Sequence, residues 1–457
     1  MEKVTNNLSE LIRKYDVPVP RYTSYPTVPT WDTERFSAPK WVHAVEKVFD
    51  ETNVTKGISL YIHLPFCESL CTYCACNVRI TKNHNVEERY LHAIIAEWEL
   101  YRYIFGSVPV IRELHIGGGT PTFFSPENLR KLLTGILKNN FIHPEHEFSF
   151  EGHPNNTTRE HLEVFYNAGF RRVSYGVQDL DIQVQKAINR IQPFENLERV
   201  VKISREIGFQ SIGFDLIYGL PYQTEQSIMN TFQQVITLRP DRIAFYSYAH
   251  VPWVRPGQRG YEDANLPNDI TKRALYNSGK KILNDSGYHD IGMDHFALKH
   301  DTLYHAAQRG KLHRNFMGYT TAQAELLIGL GASAISDAKY AYAQNARKVE
   351  DYESQVSQNK LAVFKGHLQT DEDLDIRNCI LNIACGRDVN KNQLLKLDHG
   401  NLLQALETMK EENIIELSDE GLKVTESGKA FIRNICYAFD RRAALQQSDK
   451  NIFSKGI

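Results

Sequence analysis

Between Gly57 and about His250, short apolar runs rich in β-branched and aromatic residues alternate with longer stretches whose apolar positions recur every three or four residues. The first pattern is that of strands and the second that of amphipathic helices. Their regular succession predicts β/α units around a parallel sheet. Six strands are predicted in order: Ile58–Pro65, Ile111–Ile116, Glu147–Gly152, Arg172–Val177, Ser211–Tyr218 and Arg242–Tyr248. Between them, Ser125-Pro126-Glu127 puts a capping residue before a first-turn proline and an acid, and Thr157 is read as opening the next helix, with Arg159 and Glu160 behind it. Six units are fewer than the eight of a closed barrel, so the expected class is α/β with an open, partial (β/α)6 barrel. Sites on such sheets lie at the carboxyl ends of the strands.

Flanking this core, residues 1–56 read as an N-terminal arm of little periodicity, poor in helix, with Pro20-Arg21-Tyr22-Thr23-Ser24-Tyr25-Pro26-Thr27 rich in aromatic residues and proline. Residues 57–364 read as the barrel and its extension. Residues 365–457 read as a mostly helical, winged-helix-like C-terminal domain, with helices over Asp373–Ala384 and Lys391–Glu411 and short strands over Ile414–Leu417 and Leu422–Val424.

Composition narrows the class. The 457 residues carry a net charge of −2, with no basic excess to suggest nucleic acid. The longest nearly charge-free apolar stretch, Leu326–Ser336, is too short to span a bilayer. The opening Met1–Asp16 mixes charges with apolar residues at helical spacing and has no continuous apolar signal region, so a cytoplasmic location is expected. Of seven cysteines, Cys379, Cys385 and Cys436 are flanked by apolar residues and read as structural. The other four, Cys67, Cys71, Cys74 and Cys76, crowd one short segment after the first strand. An odd total without a signal peptide points to a reducing compartment, where that segment binds metal or does redox chemistry.

The segment has C-x3-C-x2-C-x-C spacing. Structural zinc uses paired C-x2-C arms with a distant second pair, which does not follow here, although zinc on a four-cysteine loop stays open as an alternative. A three-cysteine loop suits a four-iron cubane with one iron left open to a small molecule. C-x3-C-x2-C after a first strand resembles the signature of the radical S-adenosylmethionine (SAM) enzymes, and the fold class then reads as a radical-SAM barrel. The resemblance implies one 4Fe-4S cluster on Cys67, Cys71 and Cys74, with SAM on the open iron. One-electron cleavage of SAM would yield a 5′-deoxyadenosyl radical, the cofactor supplying the hard chemistry. Tyr73 occupies the aromatic position that lies against SAM in that family; ordinary loop packing explains it equally well.

Gly117-Gly118-Gly119-Thr120-Pro121-Thr122 lies between a strand and a helix, but lacks the lysine and the spacing of a phosphate loop. Three glycines strip the side chains from a backbone that must approach a ligand closely. Glu151, at a strand's carboxyl end and opposite in facing to Phe150, needs a positive or donor partner. The ammonium or ribose of SAM would serve, as would a salt bridge to a neighbouring strand. Gln178, Arg190 and Asp215 each interrupt or end an apolar element, and each could equally be a satisfied structural residue.

Pro20–Thr27, the four-cysteine loop, Gly117–Thr122, the segments around Gln178, Asp215 and Tyr248-Ala249-His250, Gly292–Phe296 and His313–Phe316 together resemble the oxygen-independent coproporphyrinogen III oxidases of haem biosynthesis. That resemblance implies two SAM molecules, the first contacted by Tyr61, Tyr73, Gly118 and Glu151, the second by Gly119, Thr120, Gln178, Arg190, Asp215, Ala249 and Ile335. Two departures stand out: Gly152-His153 where relatives usually carry a small or branched residue and an acid, and Ile116 in place of a common tryptophan. The implied reaction is oxidative decarboxylation of the ring A and ring B propionates of coproporphyrinogen III to vinyl groups, by a monomer drawing on a separate electron donor and acceptor. Arg21 and Tyr22 are expected to close over substrate carboxylates, and Cys76 to tune or shield the cluster. Alternatives are a related enzyme acting on haem and a haem chaperone; the full-length arm and Cys76 weigh against the chaperone.

Overall fold

The computed structural model describes residues 10–253, 255–397 and 401–445. Its centre is one twelve-stranded sheet. Strands β1 (Ile58–Leu64), β2 (Val110–Gly118), β3 (Phe141–Gly152), β4 (Arg172–Gln178), β5 (Ser211–Tyr218) and β6 (Arg242–Ser247) lie side by side in chain order, all parallel. These are the six expected strands, with ends shifted by a residue or two and β3 beginning six residues early.

The sheet then continues where no strand was expected. Beyond β6, the hairpin β7 (Tyr288–Gly292) and β8 (His295–Leu298) adds antiparallel. On the other side β9 (Leu326–Leu330) pairs parallel to β1, followed by an antiparallel run of β10 (Ile335–Ala338), β11 (Ala341–Asn345) and β12 (Val363–Leu368). Both ends of the sheet are thus antiparallel additions that do not pair with one another, and the barrel stays open. The apolar stretch Leu326–Ser336 is not a long helix: it supplies β9 and turns into β10.

Alternation along the parallel strands separates two environments. Ile212, Phe214 and Leu216 of β5, like Leu114 and Ile116 of β2, face the helices and are fully or almost fully buried. The intervening residues, among them His115, Ser149, Glu151, Ser174, Asp215 and Tyr246, line an interior cavity of ≈ 160 Å³. The strand period of two therefore puts an apolar core outside the barrel and a polar chamber inside it.

The helix starts follow their capping chemistry. Helix Pro126–Leu137 opens on Ser125, whose hydroxyl accepts from the Asn128 N–H. The next helix, Arg159–Asn167, is capped by Thr158 rather than Thr157: Thr158 and His161 exchange side-chain and backbone bonds. Thr157 is instead buried, its hydroxyl donating to the His153 carbonyl.

Two readings of the flanks need correction. The segment before Gly57 is not uniformly irregular, because Ala38–Lys56 is a 19-residue helix whose Trp41, Val45, Val48 and Phe49 are buried in the barrel's core. Of the opening segment Met1–Asp16, residues 1–9 lie outside the described residues, and residues 10–15 are helical. In the C-terminal region, Lys391–Glu411 is broken into Lys391–Lys396 and Asn401–Glu411, with residues 398–400 outside the described residues. That region folds around helix Asp371–Ala384 and a three-stranded antiparallel sheet of Val389–Asn390, Gly421–Val424 and Ile415–Leu417. Its core also takes in Leu11, Tyr15, Tyr22 and Tyr25, so the part of the arm before Ala38 packs with the C-terminal helices.

Candidate active site

The chain leaves β1 at Leu64 directly into the cysteine loop. Phe66–Cys67 pairs in parallel with Arg79–Ile80, which pins the loop's two ends together. Cys67, Cys71 and Cys74 are half-buried, Cys76 is exposed, and all four are free thiols. The Cys67 sulfur lies 3.3 Å from the Thr120 hydroxyl, and Arg190 directs Nη1 at the Cys71 sulfur from 3.7 Å. Thr72 is held to the Ile188 carbonyl by its N–H, fixing the loop's middle against the segment that carries Arg190.

The glycine run faces this loop. Gly119 donates its N–H to the Leu64 carbonyl (2.8 Å) and Thr120 to that of Phe66 (3.0 Å), so the run follows the first turn of the cysteine loop bond by bond. At Gly118, φ is +116°, and a Cβ would stand 2.5 Å from the His63 ring. A Cβ on Gly117 would strike the Glu151 carboxylate at 2.9 Å, and one on Gly119 the Pro65 carbonyl at 2.7 Å. Backbone contact at Gly119 and the left-handed φ at Gly118 require glycine, while at Gly117 a side chain would displace the Glu151 carboxylate.

Glu151 accepts from the Gly118 N–H at 3.2 Å, and His115 Nε2 lies 3.4 Å from its carboxylate. The His115 Nδ1 meets the Ser149 hydroxyl at 2.8 Å, so Ser149 orients the ring that faces Glu151. Burial works against a charged carboxylate, yet His115 and the Gly118 N–H outweigh it and hold the Glu151 carboxyl below its ordinary range. Tyr61 completes the wall: its ring stacks on His115, and its hydroxyl lies 2.9 Å from His63 Nδ1. His63 Nε2 donates to the Asn77 carbonyl at 2.9 Å, which leaves Nδ1 to accept from Tyr61. Neither histidine was singled out in the sequence. Their inward register on strands already recognised was the available signal.

Opposite, Gln178 sits at the end of β4 with φ +67°, and Arg190 Nη2 donates to the Gly176 carbonyl at 2.6 Å. The buried Nε of Arg190 has no partner, as a site awaiting a polar ligand would leave it. Asp215 faces the chamber from β5, its carboxyl pushed up to about 7 by burial and the charge of Glu151, with Arg190 opposing. Burial beside Arg190 lowers His153 to about 3, so this departure from the family pattern contributes no charge. Its Nδ1 accepts from the Asn155 N–H instead.

Tyr73 packs among Val184, Ile188, Ile217, Leu220 and Tyr248. The Ala249 carbonyl accepts from Gln258. Ile335 is brought near by register: Tyr61 pairs with Gly329, whose missing side chain leaves room for the Ile335 backbone.

The two arm residues part company. Arg21 reaches the strand ends, donating to the Ser247 carbonyl at 2.6 Å. Tyr22 turns away, buried among the C-terminal helices with its hydroxyl donating to Asp440 at 2.9 Å.

Below the chamber lies a layer that sequence reading did not find. Glu147 pairs with Arg172 at 2.5 Å and Arg242 with Asp301 at 2.8 Å, while Glu113 accepts from Ser59 and Thr320. Each residue alone looks like an ordinary strand polar group; only the sheet register gathers them into a floor.

Among the described residues no three His, Cys, Asp or Glu converge on a single metal position. Three thiols spread along one loop, beside a side-chain-free backbone and an unpartnered guanidinium N–H, fit an iron-sulfur cubane carrying an amino-acid ligand.

Comparison with known proteins points the same way. The Radical SAM superfamily profile matches residues 61–235. The oxygen-independent coproporphyrinogen III oxidase of Helicobacter pylori (strain J99) is 36% identical over 459 aligned residues, covering 98% of this chain and 99% of that protein. Its namesake in Escherichia coli (strain K12) is 36% identical over 453 residues, with 97% and 98% covered. The solved structure of coproporphyrinogen III oxidase from Escherichia coli, a radical SAM enzyme, matches with a TM-score of 0.86 at 35% identity, covering 92% of this chain and 97% of that one.

Proposed function

The chain belongs to the oxygen-independent coproporphyrinogen III oxidases of the radical SAM superfamily, and on that premise we propose that it decarboxylates the ring A and ring B propionates of coproporphyrinogen III to vinyl groups, giving protoporphyrinogen IX without dioxygen. The observation that carries this reading is the bond-by-bond fit of Gly117–Thr120 to the cysteine loop beside a polar chamber. When bound, the 4Fe-4S cluster and SAM supply one-electron, hydrogen-abstracting chemistry.

In this reading Cys67, Cys71 and Cys74 hold the cluster, and Cys76 stands outside the ligand set as its neighbour. The backbone of Gly118 and the carboxylate of Glu151, with Tyr61 and Tyr73, receive the first SAM, Glu151 meeting its ammonium. Gly119, Thr120, Gln178, Arg190, Asp215, Ala249 and Ile335 receive a second. His115 and Ser149 keep Glu151 ionised and oriented. Arg21 pairs with a substrate carboxylate at the chamber's mouth, where a guanidinium matches it in charge and shape. Tyr22 anchors the arm that carries Arg21. The proposal extends to a monomeric cytoplasmic protein, divided near residues 56 and 364, that takes electrons from one partner and passes one per propionate to another.

The test is anaerobic incubation of the reconstituted protein with reductant, SAM and coproporphyrinogen III. The expected result is protoporphyrinogen IX together with 5′-deoxyadenosine. Haem consumption, or binding of haem without turnover, would overturn the reading.

A further inference from the structure

Two of the barrel's guanidinium groups are matched by carboxylates, Arg172 by Glu147 and Arg242 by Asp301. Arg190, beside the cysteine loop, and Arg314 are not. Arg314 lies on the short hairpin His313–Asn315 and Gly318–Thr320, directly across from Tyr319, with its guanidinium 4.7 Å from the centre of that ring. Its Nε and Nη1 are both buried without a hydrogen-bond partner. Two unsatisfied donor nitrogens on a permanent charge are costly to bury, and a protein keeps such an arrangement where something else completes it.

The surroundings say what that is. Tyr319 meets His295 edge-on at 5.0 Å, and His295 Nε2 lies 3.2 Å from the Tyr246 hydroxyl. Tyr319, His295 and Tyr246 line the same interior cavity as Glu151 and Asp215. Burial, with Arg314 adding to it, holds His295 at about 3, so the imidazole beside the guanidinium is neutral and brings no compensating charge. Arg21, Arg433 and Arg314 all act on the carboxyl of Asp294, yet burial dominates and keeps it above the ordinary range. No ion pair joins Arg314 to any carboxylate among the described residues. Arg314 therefore stands behind Tyr319 at the wall of the reaction chamber with no carboxylate paired to it, an arrangement that recognises a carboxylate.

We propose that Arg314 binds a propionate carboxylate that the reaction leaves intact, and thereby sets which of the substrate's other propionates faces the SAM held at Glu151. This rests on the function proposed above. Arg21 supplies a second anchor from the arm: it donates to the Ser247 carbonyl, the residue after Tyr246 on the same strand.

The test titrates cluster-reconstituted protein anaerobically with coproporphyrin III and, separately, with its tetramethyl ester, following porphyrin fluorescence. Arg314→Met is expected to weaken binding of the free acid by roughly 10- to 100-fold, the worth of one or two charge-assisted hydrogen bonds. Arg314→Lys, which keeps the charge, recovers most of that loss, and all three proteins bind the ester equally. In turnover, Arg314→Met raises KM more than it lowers kcat and leaves SAM cleavage without substrate unchanged. Free-acid binding by Arg314→Met within twofold of the parent, or an equal loss for the ester, overturns the proposal. Should Arg314→Met fail to fold, Arg314→Gln takes its place with the same expectation. If the parent protein neither binds coproporphyrin III nor decarboxylates its reduced form, the function itself is at fault rather than the role of Arg314.

Discussion

Single residues make the sharpest claims. Gly118 combines a left-handed φ with a ring where its Cβ would be, so Gly118→Ala must move either His63 or the backbone. The expected cost is about 1–3 kcal/mol, read as a lowered thermal midpoint, together with loss of SAM cleavage. Asp215 carries a pH signature. Its folded pKa is raised to about 7, so the folded state keeps a proton that the unfolded chain gives up in the ordinary carboxylate range. The associated stability is complete at acid pH below that range and is lost as pH rises through about 7. In thermal melts of the cluster-free protein, Asp215→Asn is therefore expected to gain on wild type between pH 5 and 8; a constant difference across that range would refute the assignment.

At the scale of elements, capping chemistry decides boundaries. Thr158→Ala removes a reciprocal cap and is expected to lower stability by about 1 kcal/mol while leaving turnover at 25 °C intact, as measured by denaturant unfolding. The mistaken choice of Thr157 as that cap shows what sequence resolves at this scale. Two adjacent threonines offer the same hydroxyl, and only the backbone path reveals which one leads the helix and which bonds back to His153. The six parallel strands were legible because each pairs a short apolar run with a following amphipathic helix. The hairpin Tyr288–Leu298 and the run from Leu326 to Asn345 were not, because strands joined by short turns carry no such helix between them. Helix Ala38–Lys56 was hidden by its mixed surface, since neighbours on the barrel bury positions that look polar in isolation, such as Thr52 and Asn53.

For the whole molecule, the arm ties the two ends of the chain together. Arg433 holds the Val19 and Pro20 carbonyls, Tyr22 bonds Asp440, and Arg21 is left at the strand ends. Tyr22→Phe removes one buried bond and is expected to cost about 1 kcal/mol in stability and to raise KM for coproporphyrinogen III with little change in cluster content. Iron analysis beside steady-state kinetics checks both. The candidate site divides along similar lines. The cysteine loop and the glycine run were readable from the sequence because each is contiguous and chemically unusual. His63, His115 and the Glu113, Glu147 and Arg172 floor were not, because they become neighbours only through sheet register. Arg314 stood in a segment the sequence singles out, but its unpaired guanidinium shows only in the fold.

The proposed function depends on three thiolates, those of Cys67, Cys71 and Cys74, holding a cluster that presents one open iron to SAM. Electron paramagnetic resonance of the anaerobically reconstituted, reduced protein, recorded with and without SAM, tests that directly. The expected spectrum is that of a reduced 4Fe-4S cluster whose shape changes when SAM is added, absent from Cys67→Ala, Cys71→Ala and Cys74→Ala and retained in Cys76→Ser. A protein that takes up only zinc, or a cluster signal indifferent to SAM, would contradict the account.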